Sequence, residues 1–266
     1  MNFIPPIFVS HGSPMLLLEP GRAGPAWLAL AQSLPRPRAI LAVSAHWTTR
    51  TPAVSATMEP ETIHDFYGFP QPLYDLAYQA PGTPDLAAEV ARLVPGIHVD
   101  RQRGLDHGAW SPLRAMYPAA DIPVIQLSVM PQATAEAHYR LGQMLQPLPR
   151  QGALILASGG LTHNLRDIVG DAPDGEALPY VGEFRDWFVK ALRQHDLPAL
   201  FDYRRQAPHA VRAHPSAEHL LPLYVALGAA GENAVAQTAY RDCQLGSLAL
   251  DAFVFGAEDA SRDFES

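Results

Sequence analysis

Nearly continuous apolar runs at 7–9, 40–43, 124–129 and 153–157 are bounded by polar or turn residues, the pattern of strands buried on both faces of a parallel sheet. Between them the apolar period lengthens, predicting helices over 25–34, 85–94, 133–145 and 180–194. In the last of these, Val181, Phe184, Phe188 and Leu192 share one face at spacings of three and four. Short strands are expected at 54–57 and 97–100, and a helix or turn at 200–203. Segments 235–240 and 249–255 alternate like edge strands that pair antiparallel, and the first offers an edge to which a second subunit could pair, making a homo-oligomer. Over 212–228, Ser216 reads as an N-cap. The helix it starts runs through Leu220, Leu221, Tyr224 and Leu227, with a kink at Pro222 and His219 in or near its first turn. The polar stretch 258–266 reads as a frayed tail. Strand, helix, strand implies right-handed crossovers. The fold class expected is α/β, a single domain over 1–266 with a mixed, mostly parallel central sheet, helices on both faces and a site at the strand ends.

Three of the buried runs leave the sheet in the same way. The first runs into Ser10 and His11, the second into Ser44 and His46, and the third into Ser158, Gly159, Gly160 and His163. A neutral imidazole is a strong ligand for Zn(II) and Fe(II), so His11, His46, His163 and His219 are candidate ligands of one metal at the strand exits. They are far apart in the chain, and the signal lies in their combination. Glu218 adjoins His219, and neighbours on a helix point about 100° apart, so one ion takes one of them. Spacing alone leaves open two histidines with Glu218 or three histidines with His219. Segment 62–75, carrying His64, Asp65 and Phe66, is read as a substrate-facing loop, and 104–113, carrying His107 and Trp110, as a second unusual loop.

Composition narrows the partners. The chain has 266 residues, is 48% hydrophobic and 17% charged, and carries a formal net charge of −8. An acidic chain without a basic run is a poor binder of nucleic acid or an anionic membrane. No apolar run approaches the roughly 20 residues of a membrane helix. One cysteine permits no internal disulfide. The start, MNFIPPIFVSHGSP, has no basic segment and is broken by Pro5 and Pro6, so no secretory signal is read there and a cytoplasmic protein is expected. There is no G-x-S-x-G elbow and no P-loop, and Gly159-Gly160 is too short for a dinucleotide fingerprint.

Six blocks, SHGSP (10–14), SAHW (44–47), IHDFYGFP (63–70), LDHGAWSPL (105–113), SGGLTHNL (158–165) and HPSAEHLLPL (214–223), closely resemble the class III extradiol ring-cleaving dioxygenases, in particular the single-chain 4,5-DOPA extradiol branch. The resemblance implies an Fe(II) site, which Zn(II) can also occupy, acting on a catechol and O2. His11 and His46 match two ligands, and His219 matches the third where better-known relatives have a glutamate. His163 matches the acid/base histidine and lies near enough to count as a further candidate ligand, and His107 matches a second catalytic histidine that orients the substrate. His64, Phe66 and Trp110 are then expected to line the substrate pocket. A zinc-dependent hydrolase on the same scaffold is the alternative.

Overall fold

The structure, a computed structural model, describes residues 3–256. The strands are β1 (Ile7–Ser10), β2 (Ala39–Thr48), β3 (Ala53–Ser55), β4 (His98–Asp100), β5 (Val124–Val129), β6 (Ala153–Gly159), β7 (Val235–Tyr240), β8 (Cys243–Gln244), β9 (Leu248–Ala249) and β10 (Ala252–Gly256). Eight of them form one sheet in the order β4-β3-β5-β2-β6-β1-β10-β7, and β8 and β9 pair separately. The centre, β5-β2-β6-β1, is parallel, so all four strands end at the same edge. Antiparallel pairings flank it, β3 on β5 at one side and β10 on β1, then β7 on β10, at the other. The two late strands pair antiparallel as expected, but only β7 is an edge, because β10 inserts against β1.

Alternation along each central strand feeds two cores. Leu41 and Val43 of β2 and Ile155 and Ala157 of β6 face a core completed by the helices Ala135–Met144, Pro179–Arg193 and Leu221–Ala230. Ile40 and Ala42, with Leu154 and Leu156, face the opposite core, completed by the helices Ala23–Ser33 and His107–Met116. With helices on both faces, every position of β2 as far as Ala45 is buried. Leu221–Ala230 lies so deep that two glycines carry its crossing. A Cβ on Gly228 would stand 2.0 Å from Tyr139 O, and one on Gly142 would stand 2.1 Å from Val225 O.

Two expectations need correction. Segment 104–113 is not a loop throughout: His107–Met116 is a helix, capped by Asp106, whose side chain accepts from Ala109 N. Gly108 and Pro112 read as breakers, but burial of Trp110 and Leu113 overrides them. Ser216 is also not an N-cap. The helix starts at Leu221 with Pro222 in its first turn, where a missing N–H costs nothing, so Pro222 sets the start instead of kinking the middle. His219 therefore precedes the helix. The tail at 258–266 lies outside the described residues.

Candidate metal centre

Two strand exits, an irregularity in β2, a helix start and one loop bring five histidines together. His11 follows β1, His163 follows β6, and His46 sits within β2 at an irregularity. There Val43 pairs with Leu127 and Thr48 with Val129, so β2 places Ser44 to Trp47 over a gap that β5 crosses with Ser128 alone. That bulge turns His46 towards the other exits. His219 is set by its own main chain: His219 O accepts from Gly160 N at 2.9 Å, and Gly159 leaves room for this, since a Cβ there would stand 1.9 Å from that oxygen. His107 begins its helix, and Gly108 lets the helix settle on β2, where a Cβ would stand 2.4 Å from Ser44 Oγ.

The ring of His11 lies 4.9 Å from that of His46, 5.5 Å from His107 and 5.6 Å from His219, centroid to centroid. His46 and His107 are 3.9 Å apart. His163 stacks flat on His219 at 3.4 Å. One nitrogen from each of His11, His46 and His219 falls within 4.8 Å of the other two. Glu218 is near as well: its Oε1 lies 3.2 Å from His219 Nδ1, so it meets the far side of that ring.

The serines that precede the histidines brace the exits. Ser158 Oγ lies 2.9 Å from His11 Nδ1. Ser10 Oγ accepts from Leu161 N, tying β1 to the turn after β6. Ser44 Oγ donates to Asp106 Oδ1 at 2.6 Å and accepts from His46 N. Asp106 is fully buried and also accepts from Arg103 and Gln126, so its charge is compensated on several sides. Asp65 adds a second carboxylate: its Oδ1 accepts from both N and Nδ1 of His107, and its Oδ2 lies 3.4 Å from His46 Nδ1.

Electrostatics keep His11, His46, His163 and His219 neutral. Burial, reinforced by neighbouring imidazoles, holds His11 and His219 well below the ordinary histidine value. Burial and His107 bring His46 down to about 3 against the pull of Asp65. Burial takes His163 to about 4, with Glu218 opposing. Burial opposes ionisation of Asp65, but its bonds to His107 outweigh that and hold it at about 2. Neutral rings leave nitrogen lone pairs free, and His219 Nε2 is buried without a hydrogen-bond partner.

The proposed pocket residues separate. Phe66 stands edge-on to His107 at 5.5 Å. His64 bonds Leu76 O through Nε2 and lines a cavity of about 930 Å³, with Glu61 and Tyr74, that includes none of the five clustered histidines. Trp110 has no exposed surface and gives its indole N–H to Ile63 O, so it supports the 62–75 loop from behind and offers a ligand no face. Sequence reasoning placed Asp65 in the 62–75 loop without giving it a role, and passed over the bracing role of Ser158. The signal for Asp65 was its place beside His64 in an aromatic-rich loop.

Residues 6–247 match the family model described as the catalytic LigB subunit of aromatic ring-opening dioxygenase. The chain belongs to the LigB family. It is 41% identical over 258 residues to a 4,5-DOPA dioxygenase extradiol of Beta vulgaris, covering 93% of this chain and 95% of that one. It is 39% identical to the protein of the same name in Escherichia coli K12, covering 93% of each. A crystal structure of an uncharacterized Escherichia coli K12 protein superposes with a TM-score of 0.80 at 32% identity, covering 95% of this chain and all of that one. The chain is thus an extradiol ring-cleaving dioxygenase with a single-domain α/β fold.

LigB dioxygenases are metal-dependent, and the donor set here fits an ion. Nε2 of His11 and Nε2 of His46 are 3.0 Å apart. Two imidazole nitrogens bound at about 2.0–2.1 Å to one ion stand roughly 3 Å apart, depending on geometry. With the orphaned Nε2 of His219, three neutral donors converge. Among the described residues no helix is long and apolar enough to cross a membrane.

Proposed function

We propose that the chain opens the aromatic ring of a side-chain-bearing catechol, of the 4,5-DOPA type named for its relatives, at a ferrous ion held by His11, His46 and His219. The observation that carries this reading is the convergence of three neutral imidazole donors with two further imidazoles, His107 and His163, beside them. Bound there, Fe(II) would act as a Lewis acid toward the catechol and supply the redox chemistry that O2 requires. Zn(II) fits the same donors and can fill the site without that redox chemistry.

The protein's part is positioning and proton transfer. His163, neutral and stacked on His219, accepts a proton from one catechol hydroxyl on a ring nitrogen and returns it as the ring opens. His107 orients the substrate from the opposite side, with Phe66 against its ring. The carbon–carbon bond beside one hydroxyl breaks, both atoms of O2 enter the product, and no external reductant is consumed. We assign the enzyme to the cytoplasm, whose reducing conditions keep iron ferrous. β7, outermost in the sheet among the described residues, is the edge through which a homo-oligomer would pair.

The test is O2 consumption by anaerobically Fe(II)-loaded protein given a panel of catechols, with the visible spectrum followed. The expected result is a yellow ring-opened product with matched O2 uptake, lost in His163→Ala. No uptake with any catechol at full iron occupancy would overturn the reading, and ester hydrolysis by the zinc form would replace it with a hydrolase.

A further inference from the structure

Among the described residues, the ion pairs of Asp65 are with two histidines, His107 and His46. One oxygen, Oδ1, accepts from the backbone N–H of His107 at 2.8 Å and stands 2.9 Å from its Nδ1. The other, Oδ2, stands 3.4 Å from Nδ1 of His46. His107 N belongs to the first turn of its helix, one of the N–H groups the helix leaves without a partner, and a carboxylate is favoured there.

The loop that carries Asp65 is held firmly. Ile63 N donates to Leu105 O, and Leu105 N donates to Glu61 O. Trp110 Nε1 donates to Ile63 O, and Gly104 admits this approach, since a Cβ there would stand 2.3 Å from Glu61 O. Asp65 is therefore presented from a segment fixed to the same helix whose first residue it grips.

We propose that Asp65 is a positioning residue that sets the tautomer and aim of two site histidines at once, directing Nε2 of His46 to the metal and Nε2 of His107 to the substrate. The argument is one of donors and acceptors. A carboxylate accepts only, so a ring nitrogen facing it carries the proton. With Nδ1 protonated, each ring aims its Nε2 away from Asp65, and for a metal-binding His46 that nitrogen supplies the lone pair. For His46 that nitrogen is the one 3.0 Å from His11 Nε2. This assignment rests on the proposed metal site, and partners of this kind typically contribute about 10–100-fold to metal affinity.

Asparagine makes the idea testable in two separate parts. The His107 backbone N–H is always a donor, so in Asp65→Asn the amide oxygen must stay on His107 and the amide NH2 must turn to His46. The bond to His107 Nδ1 survives, while a donor now faces His46 Nδ1 and favours the tautomer whose Nε2 carries the proton and cannot bind metal.

The experiment uses the full chain loaded with zinc, which is diamagnetic. Long-range 15N–1H correlation reads the ring tautomers, and competition with a chromophoric chelator reads zinc affinity. Asp65→Asn should keep the Nδ1–H signature of His107 and bind zinc at least about tenfold more weakly. Asp65→Ala should lose both, with His107 a tautomer mixture. Wild-type zinc affinity in Asp65→Asn, or an unchanged His107 signature in Asp65→Ala, would overturn the proposal. Should Asp65→Ala fail to fold, the near-isosteric Asp65→Asn carries the test through zinc affinity alone. Neither readout involves turnover, so a wild-type protein that binds zinc but shows no O2 uptake with iron would defeat the catechol reading and leave this one standing.

Discussion

Nε2 of His11 and Nε2 of His46 meet at 3.0 Å although 35 positions separate the residues in the chain. Parallel pairing of β1, β6 and β2 brings the two exits to one edge, and the bulge after Val43 turns His46 towards His11. Two neutral imidazoles so close have little reason to adjoin except a shared proton or a shared ion. His219 brings one ring nitrogen within 4.8 Å of both and leaves its Nε2 without a hydrogen-bond partner, which favours the ion.

Replacing any one of these three should therefore abolish stoichiometric metal. His11→Ala, His46→Ala and His219→Ala are each expected to lose affinity well beyond the roughly 10–100-fold that an outer hydrogen-bond partner contributes. Metal analysis after dialysis against a weak chelator measures this. His163→Ala, by contrast, should retain most of the metal while losing turnover. Loss of metal from His163→Ala equal to the others would make it a fourth ligand.

Ser158→Ala tests the brace behind His11. It removes the group 2.9 Å from His11 Nδ1 without changing the packing around a fully buried position by more than one oxygen. Metal affinity should fall by about tenfold with only a small change in thermal midpoint. Equal affinity in the variant would mean that His11 is oriented by strand packing alone.

Acid should destabilise the metal-free protein over a defined window. His46 and His163 are held at about 3 and about 4 in the folded state, against 6.5 for an ordinary histidine. Below 6.5 the unfolded chain binds protons that the folded chain refuses, so stability present above that value is lost as pH falls towards about 4. The fully buried His214, also at about 4 because of burial, adds to the same slope. Thermal melts of metal-free protein across this range should show a falling midpoint, less steep in His163→Gln. A flat profile would show that these rings are protonated in the native state.

Much of this was legible beforehand because each central strand reports its own burial. Continuous apolar runs mark β1, β2, β5 and β6, and the serine-then-histidine exits mark His11, His46 and His163. What escaped has identifiable causes. The bulge that extends β2 through His46 is a property of its register with β5, invisible in β2 alone. The helix at His107 hides behind Gly108 and Pro112, whose local preferences yield to burial of Trp110. Asp65 meets a residue 42 positions away, and its place beside His64, though visible, says nothing of that pairing. The place of His219 depends on a carbonyl docking against a glycine, which is a matter of close approach and not of propensity.

That docking yields the sharpest test of how the third donor is placed. Gly159 has ordinary space for its backbone but none for a side chain: a Cβ would stand 1.9 Å from His219 O and 3.0 Å from His219 C. Both obstacles are main-chain atoms, which no rotamer change can move. Gly159→Ala must push the segment carrying His219 off the end of β6, stretching the Gly160 N to His219 O bond of 2.9 Å. The expected cost is about 1–3 kcal/mol of stability, the usual range for overpacking, together with weakened metal binding. Gly182→Ala is the control, because nothing lies within 4 Å of its Cβ position in the interior of Pro179–Arg193. It should gain about 1 kcal/mol from helix propensity and bind metal as before. A Gly159→Ala protein that loses stability yet keeps full metal affinity would show that the His219 ring is aimed by its side-chain neighbours, His163 stacked at 3.4 Å foremost, and not by its carbonyl.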